Sequence, residues 1–195
     1  MLRASFVKYS LEFKRPSGTS RGILTTKDSW FLKVVDETDP NCYGLGEASI
    51  IENLSLDDPL KMDEQLTWVC ENINEPLETI MGHLLDFPSI QMAVEMAMLD
   101  LKSGGNKTWF RCPLVRKDQP IKINGLIWMG EESFMLQQIE EKIKLGFTCL
   151  KMKIGAINFE TELSILQSIR NKYDHHDLEL RVDANGAFSP EDAFD

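Results

Sequence analysis

The chain has 195 residues, 43% of them hydrophobic and 27% charged, and a formal net charge of −10. Those figures describe an ordinary globular protein with room for one large domain or two small ones. The acidic balance argues against a nucleic-acid surface or an anionic membrane as partner, and no apolar run approaches the ~20 residues that span a bilayer.

The N-terminal "MLRASFVKYSLEFKR" alternates like a strand and lacks the apolar centre of a signal peptide. "ASFVKYSLEF", "SWFLKVVDE" and "CYGLGEASI" read as three strands, the last two joined by the turn-rich "TDPN". Two helices follow. The first lies within about 60–75, with Leu66, Val69 and Ile73 on one face. The second is "SIQMAVEMAMLDLKS", with a stripe of Ile90, Val94, Ala97 and Leu101, Ser89 as N-cap, Met92, Met96 and Met98 as core packing and Gly104 as the stop. Residues 1–115 are therefore expected to form an α+β module.

Past about 118 the rhythm changes. "IKINGLIWM" reads as a strand and "EESFMLQQIEEKIKLG" as a helix on Ile139 and Ile143, ended by Gly146. "FTCLKMKI" reads as a strand, "NFETELSILQSIRNKY" as a helix on Phe159, Leu163, Leu166 and Ile169, and "DLELRVDA" as a strand. Strand and helix alternating at about thirty residues per unit predict parallel βαβ packing, so residues 116–195 are expected to begin a (β/α) barrel. "FSPEDAFD" has Ser189 as an N-cap and Pro190 at the first helical position. It looks like a further crossover helix being started, so the chain is expected to be the N-terminal part of a longer protein, inactive on its own. The four cysteines (Cys42, Cys70, Cys112, Cys149) are scattered, with no C-x-x-C pair, as suits free thiols in a reducing cytoplasm.

Two strands carry charge on one face. In "LKMKIGA", Leu150, Met152 and Ile154 point one way and Lys151 and Lys153 the other, the two lysines roughly 7 Å apart along the strand. In "LELRVDAN", Leu178, Leu180, Val182 and Ala184 form an apolar face, and Glu179, Arg181, Asp183 and Asn185 a polar one. Parallel strands are usually apolar on both faces, so the two charged faces are costly unless they meet. Lys153, Asp183 and Asn185 all fall near C-terminal strand ends, where barrel enzymes hold their chemistry. A carboxylate with an amide two residues on offers hard oxygen ligands to magnesium. A lysine crowded by a second ammonium gives up its proton more readily, which suits a general base. Metal plus lysine is a device for removing a proton beside a carboxylate.

"KMKIG" followed about thirty residues later by "RVDANGAF" resembles the enolase superfamily, for which lysine base plus magnesium is a known combination. "GLGEAS" resembles the end of that superfamily's capping domain. "SGTSRGILTTKDSWFLKV" and "INGLIWMG" look most like o-succinylbenzoate synthases of menaquinone biosynthesis. The resemblance implies an α+β capping domain followed by a TIM-type barrel and a lyase acting on a small carboxylate with one Mg2+. It implies Lys153 as base, Lys151 as its partner, Asp183 as a metal ligand, and Asn185 as a polar group beside metal or substrate. The other acidic ligands and a second catalytic lysine would lie on later strands. Racemases and epimerases of amino-acid derivatives share these motifs, and a non-catalytic chain that only binds or assembles is a further alternative.

Plainer readings exist for each residue. Lysines can guard an edge strand, and "NG" can close an Asx turn. Arg181 can bridge Glu179 or Asp183, and Arg21 is either an exposed loop arginine or a contact for a substrate carboxylate. "GLGEAS" has no helix directly after it and so does not cradle phosphate; its glycines are expected in a tight loop over the site. His175 and His176, adjacent in a polar loop, are expected to be solvated and not ligands.

Overall fold

The computed structural model describes residues 1–19, 22–110, 112–115, 119–155, 157–191 and 193. The chain divides into two compact units, Met1–Pro16 with Leu24–Pro120, and Ser17–Ile23 with Ile121–Asp195.

The first unit is α+β. Strands β1 (Leu2–Thr19), β2 (Gly22–Asp36) and β3 (Tyr43–Ser49) form one sheet in that order, followed by helices α1 (Met62–Glu71), α2 (Leu77–His83) and α3 (Pro88–Lys102). β2 and β3 run antiparallel, from Ser29 opposite Ser49 to Val35 opposite Tyr43. Alternation on β2 sends Trp30, Leu32 and Val34 inward, where they meet Met62, Leu66 and Val69 of α1 and Ile90, Val94 and Ala97 of α3 in one core. Of the expected stripes, Leu66 and Val69 on α1 and Ile90, Val94 and Ala97 on α3 are buried; Ile73 is buried just past the end of α1, and Leu101 is only partly buried. Gly104 ends α3 at a left-handed φ of 88°.

Several expectations change. The seven-residue α2 was not anticipated, because two turns give too little periodicity to stand out. Ser89 does not cap α3. The helix starts one residue earlier, and its end is held by the buried Asp57, which accepts from the Ser89 N–H at 3.0 Å and from the Ser89 hydroxyl. Met92 faces solvent, since the helix buries Ala93 and Val94 instead. The glycines of "GLGEAS" are not in a loop. Gly44 and Gly46 lie in β3 under α3, where an added Cβ would stand 1.9 Å from the Ala97 carbonyl oxygen and 1.8 Å from that of Ala93. Their missing side chains let helix backbone rest on strand backbone. Beside them the buried Asp100 carboxylate accepts from the Leu45 N–H at 3.0 Å and the Lys107 N–H at 2.6 Å.

The second unit is β/α. Strands β4 (Gly125–Ile127), β5 (Cys149–Lys153) and β6 (Glu179–Asp183) form a parallel sheet in that order, with crossover helices α4 (Glu132–Lys144) and α5 (Phe159–Lys172). These are three strands and two helices of a (β/α) barrel. Ile127, Met135, Ile139, Leu150, Met152, Ile165, Ile169 and Leu178 form its core. Gly146, at φ 83°, ends α4 as expected. β4 is shorter than the run "IKINGLIWM", because only Gly125–Ile127 finds partners, at Leu150–Met152, and Ile121 and Ile123 stay exposed. α5 is rotated from the expected face: Glu162, Ile165 and Ile169 are buried, while Phe159 is exposed and packs edge-on against Phe188. Val182 is also exposed rather than buried, since it lies on the edge strand of the sheet. Ser189 and Ala193 close one turn through a 3.0 Å backbone bond; the rest of the expected final helix, residues 192, 194 and 195, lies outside the described residues.

Among the described residues no helix is long and apolar enough to cross a membrane. The four cysteines are free. His175 and His176 are exposed, as expected of a solvated loop.

Candidate active site

β5 explains how two lysines share a face. Leu150 and Met152 are almost fully buried in the core beneath α4 and α5, so alternation turns Lys151 and Lys153 to the opposite side of the sheet, away from those helices. The parallel register then sets Lys151 opposite Arg181 and Lys153 opposite Asp183. Asp183 answers the charge problem posed by the lysine pair. Its Oδ2 lies 2.6 Å from the Lys151 ammonium and 2.8 Å from that of Lys153. Lys153 also donates to the Asn185 side-chain oxygen. The two ammonium groups therefore converge on one carboxylate instead of repelling across an empty face.

Asp183 is held ionised. Lys151 lowers its pKa most, followed by Lys153 and by the Asn185 N–H, which reaches Oδ1 at 3.0 Å; together they place the carboxyl well below its ordinary range. Asn185 adopts a left-handed φ of 50° and Gly186 one of 72°, so the chain turns sharply at the strand end and brings the Asn185 amide back over β6. Lys153 and Asp183 are the last residues of their strands, the end at which barrel enzymes hold their chemistry.

The other expected residues sit elsewhere. Arg181 pairs with Glu179 at 2.7 Å and not with Asp183. Both line a cavity of about 670 Å³ with Lys122, Asn124 and Phe147, at the N-terminal ends of the strands and so at the opposite end of the sheet from Lys153. Arg21 lies outside the described residues.

Two features at the C-terminal ends of the strands, the Lys153 end, were not read from the sequence. Gln138 of α4 brackets Trp128, accepting from its N–H and donating to its carbonyl oxygen, both at 2.9 Å, which fixes the exit from β4. Glu162 of α5 is buried and accepts from the Gly155 N–H with both carboxylate oxygens at 2.9 Å. Its signal was present in the sequence as an acid at helical spacing from Ile165 and Ile169.

The donor set falls short of a divalent cation. Magnesium takes six oxygens in near-octahedral array. Here one carboxylate and one amide oxygen converge, both bonded to lysine. Among the described residues no group of three or more His, Cys, Asp or Glu could hold a metal ion. The described residues alone therefore do not complete a metal site.

Comparison with known proteins agrees with this geometry. Residues 135–195 match the family model described as "Enolase C-terminal domain-like". The chain is 40% identical to an o-succinylbenzoate synthase of Desulfotalea psychrophila, over 98% of this chain and 60% of that protein. It superposes on the crystal structure of MenC from Desulfotalea psychrophila with a TM-score of 0.80 at 34% identity, covering 98% of this chain and 59% of that one. A dipeptide epimerase from Enterococcus faecalis, solved with Mg and the dipeptide L-Leu-L-Tyr, shares the fold with a TM-score of 0.74 at 22% identity, over 98% of this chain and 55% of that one. The likeness to the enolase superfamily, with a capping domain and part of a barrel, is thus borne out in both sequence and fold. Within it the chain is similar to o-succinylbenzoate synthase, and it spans about 60% of that relative's length.

Proposed function

We propose that this chain is the capping domain and first barrel strands of a cytoplasmic lyase that converts a hydroxylated cyclohexadiene carboxylate to 2-succinylbenzoate. The observation that carries the reading is the meeting of Lys153, Asp183 and Asn185 at two adjacent strand ends. The 40% identity to an o-succinylbenzoate synthase supports the choice of substrate. Lys153 removes the proton alpha to the carboxylate, the β-hydroxyl leaves as water, and the ring becomes aromatic. Lys151 sits beside it as a second cation. Asp183 serves as one ligand of a divalent cation whose other ligands lie outside residues 1–195. Such a cation would supply positive charge to the carboxylate during proton removal.

The fold of the Enterococcus faecalis epimerase favours one rival, exchange of the α-proton of a dipeptide. Assaying the parent protein with both substrates decides between them. Dehydration generates an aromatic absorbance, whereas epimerisation exchanges the α-proton with solvent and leaves the spectrum unchanged. Turnover of dipeptides alone would overturn the lyase reading.

A further inference from the structure

We propose that Glu162 is a positioning residue that holds the loops after β5 and β6 together and so sets the placement of Lys153 against Asp183 and Asn185. This rests on those three residues working together as proposed above.

Glu162 lies one turn into α5, on the buried stripe with Ile165 and Ile169. An acid there is costly unless hydrogen-bonded. Its carboxylate takes the Gly155 N–H on both oxygens at 2.9 Å and the Ile157 N–H at 3.4 Å. It thereby ties down the segment that begins two residues after Lys153. Gly155 has a left-handed φ of 85°, and a Cβ added to it would stand 2.3 Å from the Cβ of Ala187. The loop after β5 therefore lies directly on the loop after β6. A second link joins them, for the Ile154 N–H donates to the Asp183 carbonyl at 3.1 Å. The β6 loop is folded back on itself by the Asn185 N–H to Asp183 Oδ1 bond and by the Ala187 N–H to the Ala184 carbonyl at 2.9 Å. Glu162 thus bears on Gly155, Gly155 on Ala187, and the turn containing Ala187 carries the Asn185 oxygen that receives the Lys153 ammonium.

Glu162→Gln in the parent enzyme tests this. The side chain keeps its size, but its amide nitrogen cannot accept, so one of two acceptors facing the Gly155 N–H becomes a donor. Hydrogen–deuterium exchange should quicken at Gly155 and Ile157, and also at Ile154, Asn185 and Ala187, whose N–H groups have other acceptors. kcat should fall on the order of tenfold, with KM within about twofold, as expected when reacting groups are misplaced but the substrate site is intact. Faster exchange confined to 155–157, or an unchanged kcat, overturns the proposal. If the parent turns over neither carboxylate class, the functional reading fails, and the exchange pattern alone still decides whether Glu162 holds the two loops together.

Discussion

Gly46→Ala separates a packing role for the "GLGEAS" glycines from a role over the site. The new Cβ would sit 1.8 Å from the Ala93 carbonyl oxygen and 2.6 Å from its carbon, and both are backbone, so no side-chain rotation relieves the clash. α3 must withdraw by more than about 1 Å to reach ordinary contact. That helix carries Ile90, Ala93, Val94 and Ala97, all fully buried. A gap of that size forfeits roughly a quarter to a half of each dispersion contact along the seam. Overpacking of this kind costs about 3 kcal/mol. For a protein of 150–250 residues each kcal/mol lowers Tm by about 2–4 °C, so a fall of roughly 6–12 °C is expected. Circular dichroism melting of residues 1–195, wild type and variant, measures it, and kcat is read separately on the parent protein below its own transition. A Tm loss under about 3 °C, or a lost kcat at unchanged Tm, would refute the packing argument and return the glycines to the site.

Lys153→Ala in the parent should lower kcat by ~10²-fold or more with unchanged circular dichroism, and retention of more than a few per cent of activity would reject the base assignment. Asp183→Asn should weaken magnesium binding in calorimetry on the parent. The same variant tests the metal-free pairing. The folded-state pKa of Asp183 lies below its unfolded value, so its stabilising effect is present above about pH 4 and fades as the pH falls below that. The acid loss of Tm between about pH 4 and pH 2 should therefore be shallower in Asp183→Asn than in wild type, and an identical slope counts against the pairing. Asp57→Ala should cost about 1 kcal/mol by uncapping α3, seen as a Tm drop of about 2–4 °C, with kcat unchanged. Arg181→Ala should leave kcat unaltered, because its guanidinium binds Glu179 at the far end of β6.

Period alone determined most of the elements and the central feature of the site. A strand's two-residue repeat is fixed by covalent geometry, so "LKMKI" had to present Lys151 and Lys153 together once Leu150 and Met152 were buried. The stripe of Ile90, Val94 and Ala97 dictated the buried face of α3 in the same way. What needed the tertiary structure were contacts between segments distant in sequence. Register decided that Asp183 stands opposite Lys153 while Arg181, two residues earlier, turns to Glu179. The N-terminus of α3 could be capped by Asp57, 32 residues before Ser89, only because the fold brings that loop alongside. A helix backbone arriving over β3 made Gly44 and Gly46 packing residues, a role their sequence neighbours do not reveal. The face of α5 rotated for a related reason: Glu162 is tolerable inside because the β5 loop offers it backbone N–H donors, and Phe159 is left outside. Local pattern states which side chains share a face; only the packed chain states what that face meets, because burial and hydrogen-bond satisfaction are settled by the partner and not by the segment itself.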